Sequence, residues 1–241
     1  MILKDLPIGT VVTDKKTKFN GKSIEWLVTD HEKYQDGTVL FSKDIICCKS
    51  FDNSKMSDYK KYKEHPICWE NSTIRNWLKT NFFYNFFSIQ LRCMSISVEL
   101  LECDRNDLTR KIKDNIFLLS PSEIGYTKYK ALQLFSNNEY KTAEACLGLK
   151  WSYWLRTPFL GNLCDAYIIN SDGSFYHNDA YDNRCGIRPA CVISDYTPIK
   201  EKKNGDYKFD WSPLHTNWRK QLTLYSIMYK NYLDFFSTKG V

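Results

Sequence analysis

The sequence lacks the long apolar runs that membrane insertion and secretion require. No stretch of about 18 consecutive apolar residues occurs, so no transmembrane helix is predicted. The N-terminal residues MILKDLPIGTVV contain no basic region followed by a long apolar core, which excludes a signal peptide. We therefore expect a cytoplasmic protein without a membrane segment.

The nine cysteines show no spacing that indicates a structural or metal-binding task. Their number is odd, Cys47 and Cys48 are adjacent, and no CxxC pair occurs. These features argue against a disulfide framework and a zinc ribbon. His65 and Cys68 lack a second pair of metal ligands. We expect reduced, buried thiols in an intracellular chain that holds no metal or other cofactor.

A dense stripe of positive charge is also missing. The chain has 34 Lys and Arg against 28 Asp and Glu, which gives a net charge of +6. Small lysine clusters lie at 15–18, 60–63 and 200–203, and we interpret them as solvated surface. Nucleic-acid-binding domains usually carry denser basic stripes, so no nucleic-acid partner is expected.

The N-terminal part contains the alternating patterns of β-strands. A chain of 241 residues is long enough for one domain with an appendage. Alternation and β-branched residues predict strands at 7–13, 24–30 and 37–46, with a polar turn at 14–22. These three strands are expected to form an antiparallel meander.

Two short helices are predicted after a charged, irregular loop at 50–66. Ser72 is placed to cap the first helix, and Asn81 is interpreted as the cap of the second. The apolar residues at helical spacing are Ile74, Trp77 and Leu78 in the first helix and Phe82, Phe83, Phe86 and Leu91 in the second. We expect both helices to pack on the sheet through these side chains.

Further strands follow at 95–104 and 116–119. The sequence SPSE at 120–123 fits a capping box with proline at the first helical position, so a helix is predicted to begin there. The polar segment 125–149 is expected to hold one or two short helices.

The last third of the chain contains a hairpin pattern. AYIIN at 166–170 predicts a strand, NSDGS at 170–174 a tight turn, and GIRPACVIS at 186–194 a final strand. Because Pro189 has no amide donor, it should lie at a sheet edge or an irregularity.

The C-terminal part differs in composition from what precedes it. Residues 196–213 are rich in proline and lysine and are interpreted as a linker or a segment that wraps around the domain. Apolar residues recur at helical spacing from Trp218. The sequence thus predicts a main domain at 1–195 and a linker with a helical extension at 196–241.

Several of these motifs resemble those of an uncharacterised bacterial domain family. Its WWLRSP, SDG and GVRPAL motifs correspond here to YWLRTP at 153–158, SDG at 171–173 and GIRPAC at 186–191. Its IEW strand and its WENSTLRxWL helix correspond to residues 24–26 and 69–78. The resemblance covers roughly residues 5–195 in the family's order, and Tyr153 replaces the first Trp.

The resemblance implies an α+β fold related to C-type lectins. Within the C-type-lectin-like folds, the family resembles the branch that contains formylglycine-generating enzymes and the variable proteins of retroelements. The implied architecture is a twisted antiparallel sheet with short flanking helices and long loops on one face. Arg156 and Arg188 lie in the shared motifs and are expected to tie loops to the sheet. Asp172 is also expected to be structural, as a turn residue or as a partner of one of the arginines. An anion site at the two arginines is the alternative.

The segment between the turn and the final strand, residues 175–184, is the candidate binding surface and is called the ribbon below. In the related variable proteins this segment contacts the ligand. Tyr offers large contact area at low entropic cost, and Asn and Asp offer adaptable hydrogen bonds. The predicted ligand-binding residues are Tyr176, His177, Asn178, Asp179, Tyr181, Asp182 and Asn183, with Tyr153 and Trp154 lining the base.

We therefore expect a non-catalytic module that recognises a protein or a glycan. Three enzymatic or metal-binding alternatives and one structural alternative stay open. A copper oxidoreductase of the formylglycine-generating type would use Cys164, Cys185 or Cys191. A thiol hydrolase would pair a cysteine with His177. Calcium-dependent sugar binding would use Asp165, Asp172, Asp179, Asp182 and Asn183. A purely structural domain would leave the ribbon without a partner.

Overall fold

The protein is an α+β fold in which β-strands predominate. The computed structural model describes residues 1–53, 67–103, 109–127, 130–137, 140–145 and 148–213. The strands are β1 Val11–Phe19, β2 Lys22–Tyr34, β3 Gly37–Ser42, β4 Cys47–Cys48, β5 Val98–Cys103, β6 Thr109–Asp114, β7 Ile116–Phe117, β8 Tyr153–Pro158, β9 Asp165–Ile169, β10 Phe175–Asp179, β11 Gly186–Ile187, β12 Ala190–Ser194, β13 Ile199–Glu201 and β14 Tyr207–Phe209. The helices are α1 Thr73–Trp77, α2 Phe83–Phe86 and α3 Ile89–Met94, with a π-helical turn Leu78–Phe82 and 3₁₀ turns Leu3–Asp5 and Gln133–Asn137.

The strands form two larger sheets and one hairpin rather than a single antiparallel sheet. A seven-stranded sheet has the order β13-β14-β1-β2-β3-β12-β7, and a five-stranded sheet has the order β10-β9-β8-β11-β4. β5 and β6 pair separately. Both larger sheets are mixed, because β14 runs parallel to β1 and β11 runs parallel to β8.

The predicted meander is confirmed, but the predicted turn at 14–22 is wrong. β1 continues to Phe19 through a register shift, and the turn is reduced to Asn20 and Gly21, which both have positive φ. Asp14 and Thr17 were predicted to lie in the turn, yet both are buried and hydrogen-bonded to each other. Ser88 and Trp211 donate to the same Asp14 carboxylate. Polar partners distant in sequence therefore keep this segment in the sheet.

The final strand is divided between the two sheets. β11 pairs with β4 and β8 in the five-stranded sheet, whereas β12 pairs with β3 and β7 in the seven-stranded sheet. Arg188 and Pro189 connect them, so the expected irregularity at Pro189 is confirmed. The Pro189 carbonyl accepts a hydrogen bond from the Ser42 amide at 2.8 Å. This crossing holds the two sheets together beside the ribbon.

Helix α1 begins where the sequence predicts, but the second predicted cap is wrong. Ser72 caps α1 by accepting a hydrogen bond from the Arg75 amide. The helix then continues through Asn81 in a π-helical turn to α2, because Phe82 remains buried in the core there. Ser88 caps the next helix, α3, and accepts from the Leu91 amide.

The capping box at 120–123 forms without the helix it predicts. The Glu123 carboxylate accepts from the Ser120 amide, and Ser120 Oγ accepts from the Glu123 amide. The chain makes only a turn, which ends at Gly125 with φ of 81°. Glu123 also pairs with Arg156, so the box positions a buried carboxylate instead of a helix. In the segment 125–149, the 3₁₀ turn Gln133–Asn137 is the helical element within the described residues.

The segment 196–213, interpreted from the sequence as a linker, contributes β13 and β14 to the edge of the seven-stranded sheet. The predicted C-terminal helix from Trp218 lies outside the described residues, as does most of the predicted loop at 50–66. Among the described residues, no helix has the length and apolar character of a membrane span.

Gly186 in the GIRPA motif is required by a close contact. A Cβ atom at this position would lie 2.7 Å from two side-chain carbons of Ile45. Gly186→Ala is therefore expected to lower the free energy of unfolding by about 1–3 kcal/mol in urea denaturation, through overpacking. Ser23→Ala, at an exposed strand position, should stay within about 0.5 kcal/mol. Equal stability of the two variants would contradict the prediction.

Candidate functional site

The ribbon begins as an edge strand of the five-stranded sheet. β10 pairs antiparallel with β9, from Phe175 opposite Ile169 to Asp179 opposite Asp165. The turn between them has Gly173 at φ of 87°. The Asp172 carboxylate accepts from the Ser174 amide at 2.8 Å, and hydrogen bonds from the Ser174 hydroxyl and amide lower the pKa of Asp172. Asp172 thus lies in the turn itself.

His177 is fixed in a row of aromatic rings. Its Nδ1 lies 2.7 Å from an Asp165 carboxylate oxygen. The Phe159 ring stacks on the imidazole with a centroid distance of 3.8 Å, and the Tyr176 ring stacks at 4.7 Å. Tyr167, Phe175 and Tyr126 continue the row through further ring contacts. This packing holds the side of the ribbon that faces β9 rigid.

Asp179 and Tyr181 of the ribbon interact electrostatically with each other and with Asp165. Partial burial and then the charge of Asp165 raise the pKa of the Asp179 carboxyl. The charge of Asp179 in turn is the main cause that raises the pKa of the Tyr181 hydroxyl, which also hydrogen-bonds to it. These contacts place Asp165, His177, Asp179 and Tyr181 together at the end of the β9–β10 hairpin.

The main chain after β10 is tied to neighbouring segments. The Ala180 amide donates to the Cys164 carbonyl at 2.8 Å, and the Asp52 amide donates to the Ala180 carbonyl at 2.9 Å. Ser50 Oγ donates to the Tyr181 carbonyl at 2.8 Å. The ribbon therefore has a fixed backbone, although Tyr181 itself is 42% exposed.

Side-chain contacts fix the end of the ribbon as well. Arg184 donates to both carboxylate oxygens of Asp182, at 2.9 and 2.8 Å, and this contact is the main cause that lowers the pKa of Asp182. Asn178 Nδ2 donates to Asp182 at 3.0 Å and lies 3.3 Å from Cys185 Sγ. Asp182 thus accepts from both sides of the loop, which gives the loop one defined conformation.

Two cavities flank the ribbon. The larger, called the ribbon groove, has a volume of about 840 Å³ and separates the ribbon from β4 and α1. The smaller, called the Trp151 pocket, has a volume of about 370 Å³. Asn178, Asp182 and Arg184 line both. The remaining residues of the ribbon groove are Cys48, Lys49, Ser50, Asn53, Thr73, Ile74, Trp77, Asp179, Tyr181 and Asn183.

The structure brings all seven predicted ribbon residues to these cavities. Tyr176 and His177 line the Trp151 pocket, and Tyr176 is 58% exposed. Tyr153 and Trp154 lie elsewhere, since both are fully buried in the core. Tyr153 donates its hydroxyl hydrogen to the Lys141 carbonyl, and Trp154 Nε1 donates to the Lys49 carbonyl. Both side chains lie in the core and line neither of the two cavities.

Sequence reasoning missed the opposite wall of the ribbon groove. Lys49 directly follows β4, and Thr73 and Trp77 lie in α1, more than 90 residues before the ribbon. Lys49 Nζ lies 4.8 Å from the centre of the Trp77 ring. Trp77 was predicted as a core residue from its helical spacing, and spacing alone carries no signal for its half-exposed position. Arg184 directly follows the predicted residues and was also missed.

The two motif arginines are buried and hydrogen-bonded. Arg156 pairs with Glu123 and donates to the Leu118 carbonyl at 2.9 Å. Arg188 donates to the carbonyls of Ser42, Lys43 and Tyr140 and to the Tyr153 hydroxyl. Its guanidinium also lies 4.0 Å from the centre of the Phe41 ring. Both arginines hold loops against the strands.

In the described part of the chain, the cysteines and acidic residues do not form a reactive centre. Burial raises the pKa of Cys185 to about 11 and raises the pKa of the fully buried Cys191 as well, which favours the unreactive thiol. Cys164 is also buried. Within the residues described, no group of three or more His, Cys, Asp or Glu side chains is arranged to hold a metal ion.

Comparison with known families gives one match. The family model described as Domain of unknown function (DUF6273) matches residues 36–195, which include the ribbon, β4 and α1. Comparisons with curated proteins and with solved structures give no match.

Proposed function

Since the chain belongs to the DUF6273 family, whose description names no activity, we propose its function from the site: a non-catalytic module that recognises a protein or a glycan through the ribbon. The observation that carries this proposal is the combination of a fixed backbone with exposed polar and aromatic side chains beside two cavities.

Pre-organisation is the physical reason that this surface suits recognition. A loop that is ordered before binding loses little conformational entropy when a ligand arrives, so more of the contact energy appears as affinity. The ribbon is ordered by the carbonyl contacts of Ala180 and Tyr181 and by the Asp182–Arg184 pair. Tyr176 and Tyr181 then present large rings at low entropic cost.

The lining chemistry supports a ligand with many hydrogen-bonding groups. The ribbon groove combines carboxylates, amides, hydroxyls and one lysine with the rings of Trp77 and Tyr181. Polypeptides and glycans both offer such mixed polar and apolar surfaces. Burial raises the pKa of Cys185, which lines the Trp151 pocket, to about 11, so this thiol stays protonated and weakly reactive.

We also propose a C-type-lectin-like relationship for the fold. The WLRTP, SDG and GIRPA motifs support it, and so does their position at the strands and turn that carry the ribbon. A fold relationship does not determine a ligand, so the functional proposal rests on the site itself.

Removal of the two exposed tyrosine rings tests the proposal. The full-length protein is screened on a glycan array and against a displayed peptide library. For the ligand selected by the wild type, Tyr176→Ala/Tyr181→Ala is expected to weaken binding by at least about thirtyfold, because hot-spot aromatics contribute about 2 kcal/mol or more.

A matched control separates the ribbon from general surface effects. Tyr84→Ala/Tyr196→Ala removes two rings of similar exposure outside both cavities, and it should leave the affinity unchanged. Unchanged binding by the ribbon variant, or an equal loss in both variants, would reject the ribbon as the binding surface.

A further inference from the structure

A third cavity lies at the edge of the seven-stranded sheet, whereas the ribbon belongs to the five-stranded sheet, and it carries concentrated positive charge. It has a volume of about 400 Å³ and is formed by β1 and by the β13–β14 hairpin. Most of this hairpin lies beyond the family match at 36–195. The lining residues are Lys15, Lys200, Lys202, Lys203 and Lys208, with Glu201 and Asn204. We call this cavity the lysine pocket.

The strand register forces like charges together in the lysine pocket. Lys200 lies directly opposite Lys208 in the antiparallel β13–β14 pair. Lys208 is also the register partner of Thr13 in β1, which brings the nearby Lys15 to the same cavity. Like charges directly opposite each other on neighbouring strands destabilise a sheet. An anion bound between them would relieve this repulsion.

The described part of the chain supplies little compensating negative charge. Lys202 pairs with Asp206 at 3.5 Å. Lys15, Lys200, Lys203 and Lys208 form no ion pair with any described carboxylate. Asp210 is close enough to Lys200 and Lys208 for their charges to lower its pKa, but its hydrogen bonds to Ser212 are the larger cause. The pocket therefore retains several uncompensated ammonium groups.

We propose that the lysine pocket binds a polyphosphate group, either free or as part of a nucleotide. Lysine ammonium groups act as compact point charges for phosphate oxygens. Several of them around one concavity match a ligand that carries several negative charges in a small volume. The small volume of the pocket at a hairpin turn favours this compact anion over a nucleic-acid strand, which needs an extended basic track. This site is independent of the function proposed for the ribbon.

The proposal predicts opposite effects of one variant in the free and bound protein. In the full chain, Lys200→Gln/Lys208→Gln removes the opposed charges, so its melting temperature without ligand should equal or exceed that of the wild type. Sodium tripolyphosphate should raise the melting temperature of the wild type but not of this variant. Calorimetry at about 0.15 M ionic strength should show at least about tenfold weaker binding by the variant.

Controls distinguish the ligand sources. Lys79→Gln/Lys150→Gln removes the same charge at exposed positions outside the pocket, and it should respond to tripolyphosphate like the wild type. ATP without divalent cations tests the nucleotide source: affinity equal to that of tripolyphosphate indicates the phosphates alone, and higher affinity indicates a nucleotide.

Three outcomes would overturn the proposal. The first is an equal response of all three proteins to tripolyphosphate, which is a counter-ion effect. The second is a site variant that is less stable than the wild type without ligand. The third is binding of a single-stranded oligonucleotide in the absence of tripolyphosphate binding.

Discussion

Glu123→Gln is expected to lower the free energy of unfolding by about 3–5 kcal/mol, because it removes one partner of a buried ion pair. The side chains of Glu123 and Arg156 are each only 5% exposed. The substitution would leave the Arg156 guanidinium buried without a counter-charge and would weaken the hydrogen bonds from Ser120. Urea denaturation of the two proteins measures the difference.

Two controls define what the Glu123 result means. Glu25→Gln breaks the exposed pair with Lys43 and should cost about 1 kcal/mol or less. Glu123→Leu/Arg156→Met removes both buried charges and should be more stable than Glu123→Gln. A single substitution at Glu123 that costs no more than the one at Glu25 would show that the pair contributes little.

The pH dependence provides a further check on the same pair. Although burial opposes ionisation, the pairing with Arg156 and the hydrogen bonds to the carboxylate hold the pKa of Glu123 below its ordinary value. A carboxyl with a lower pKa in the folded state stabilises the protein above its unfolded pKa, and this stabilisation disappears as the pH falls through the folded pKa. The acid-induced loss of stability should therefore be smaller in Glu123→Gln than in the wild type.

Arg188→Met is expected to be the second large effect, with a loss of about 3 kcal/mol or more. Arg188 is 1% exposed and donates to three carbonyls and one hydroxyl. Methionine fills part of the volume but leaves these buried acceptors without their donor, and hydrogen bonds from a charged group contribute about 1.5–3 kcal/mol each. Thermal and urea denaturation measure the loss.

Arg184→Met is the matched control for Arg188→Met. Arg184 is 80% exposed and pairs with Asp182 at the surface, so its replacement should cost about 1 kcal/mol or less. Similar losses in the two variants would contradict the structural role of Arg188. Because Arg188 connects loops from both sheets, its variant should also lower the cooperativity of unfolding.

Local patterns predicted the elements whose determinants are local. The meander followed from alternating side chains, and the cap at Ser72 followed from the residue type and its place before an apolar stripe. The same reasoning failed at Asn81 and at the turn 14–22. There the outcome depends on burial of Phe82 and on partners of Asp14 that lie 74 and 197 residues away.

The candidate site was predictable on one side only. The ribbon is continuous in sequence, and its composition marked it as a surface that could bind. The facing wall, with Lys49 and Trp77, is assembled by the pairing of β11 with β4 and by the packing of α1. No local pattern encodes that neighbourhood. Tyr153 and Trp154 show the converse, because their motif was clear but their burial depends on packing against Phe41 and Phe51, more than 100 residues earlier in the chain.

The backbone conformation of the ribbon depends little on which residues occupy its exposed positions. The contacts that hold Ala180 and Tyr181 use main-chain atoms of the ribbon, so they survive a change of side chain. Positions 181 and 183, whose side chains are exposed, can therefore exchange residues at little energetic cost to the fold. Libraries randomised at these positions should therefore yield folded proteins, and selection from them would test whether the ribbon sets ligand specificity.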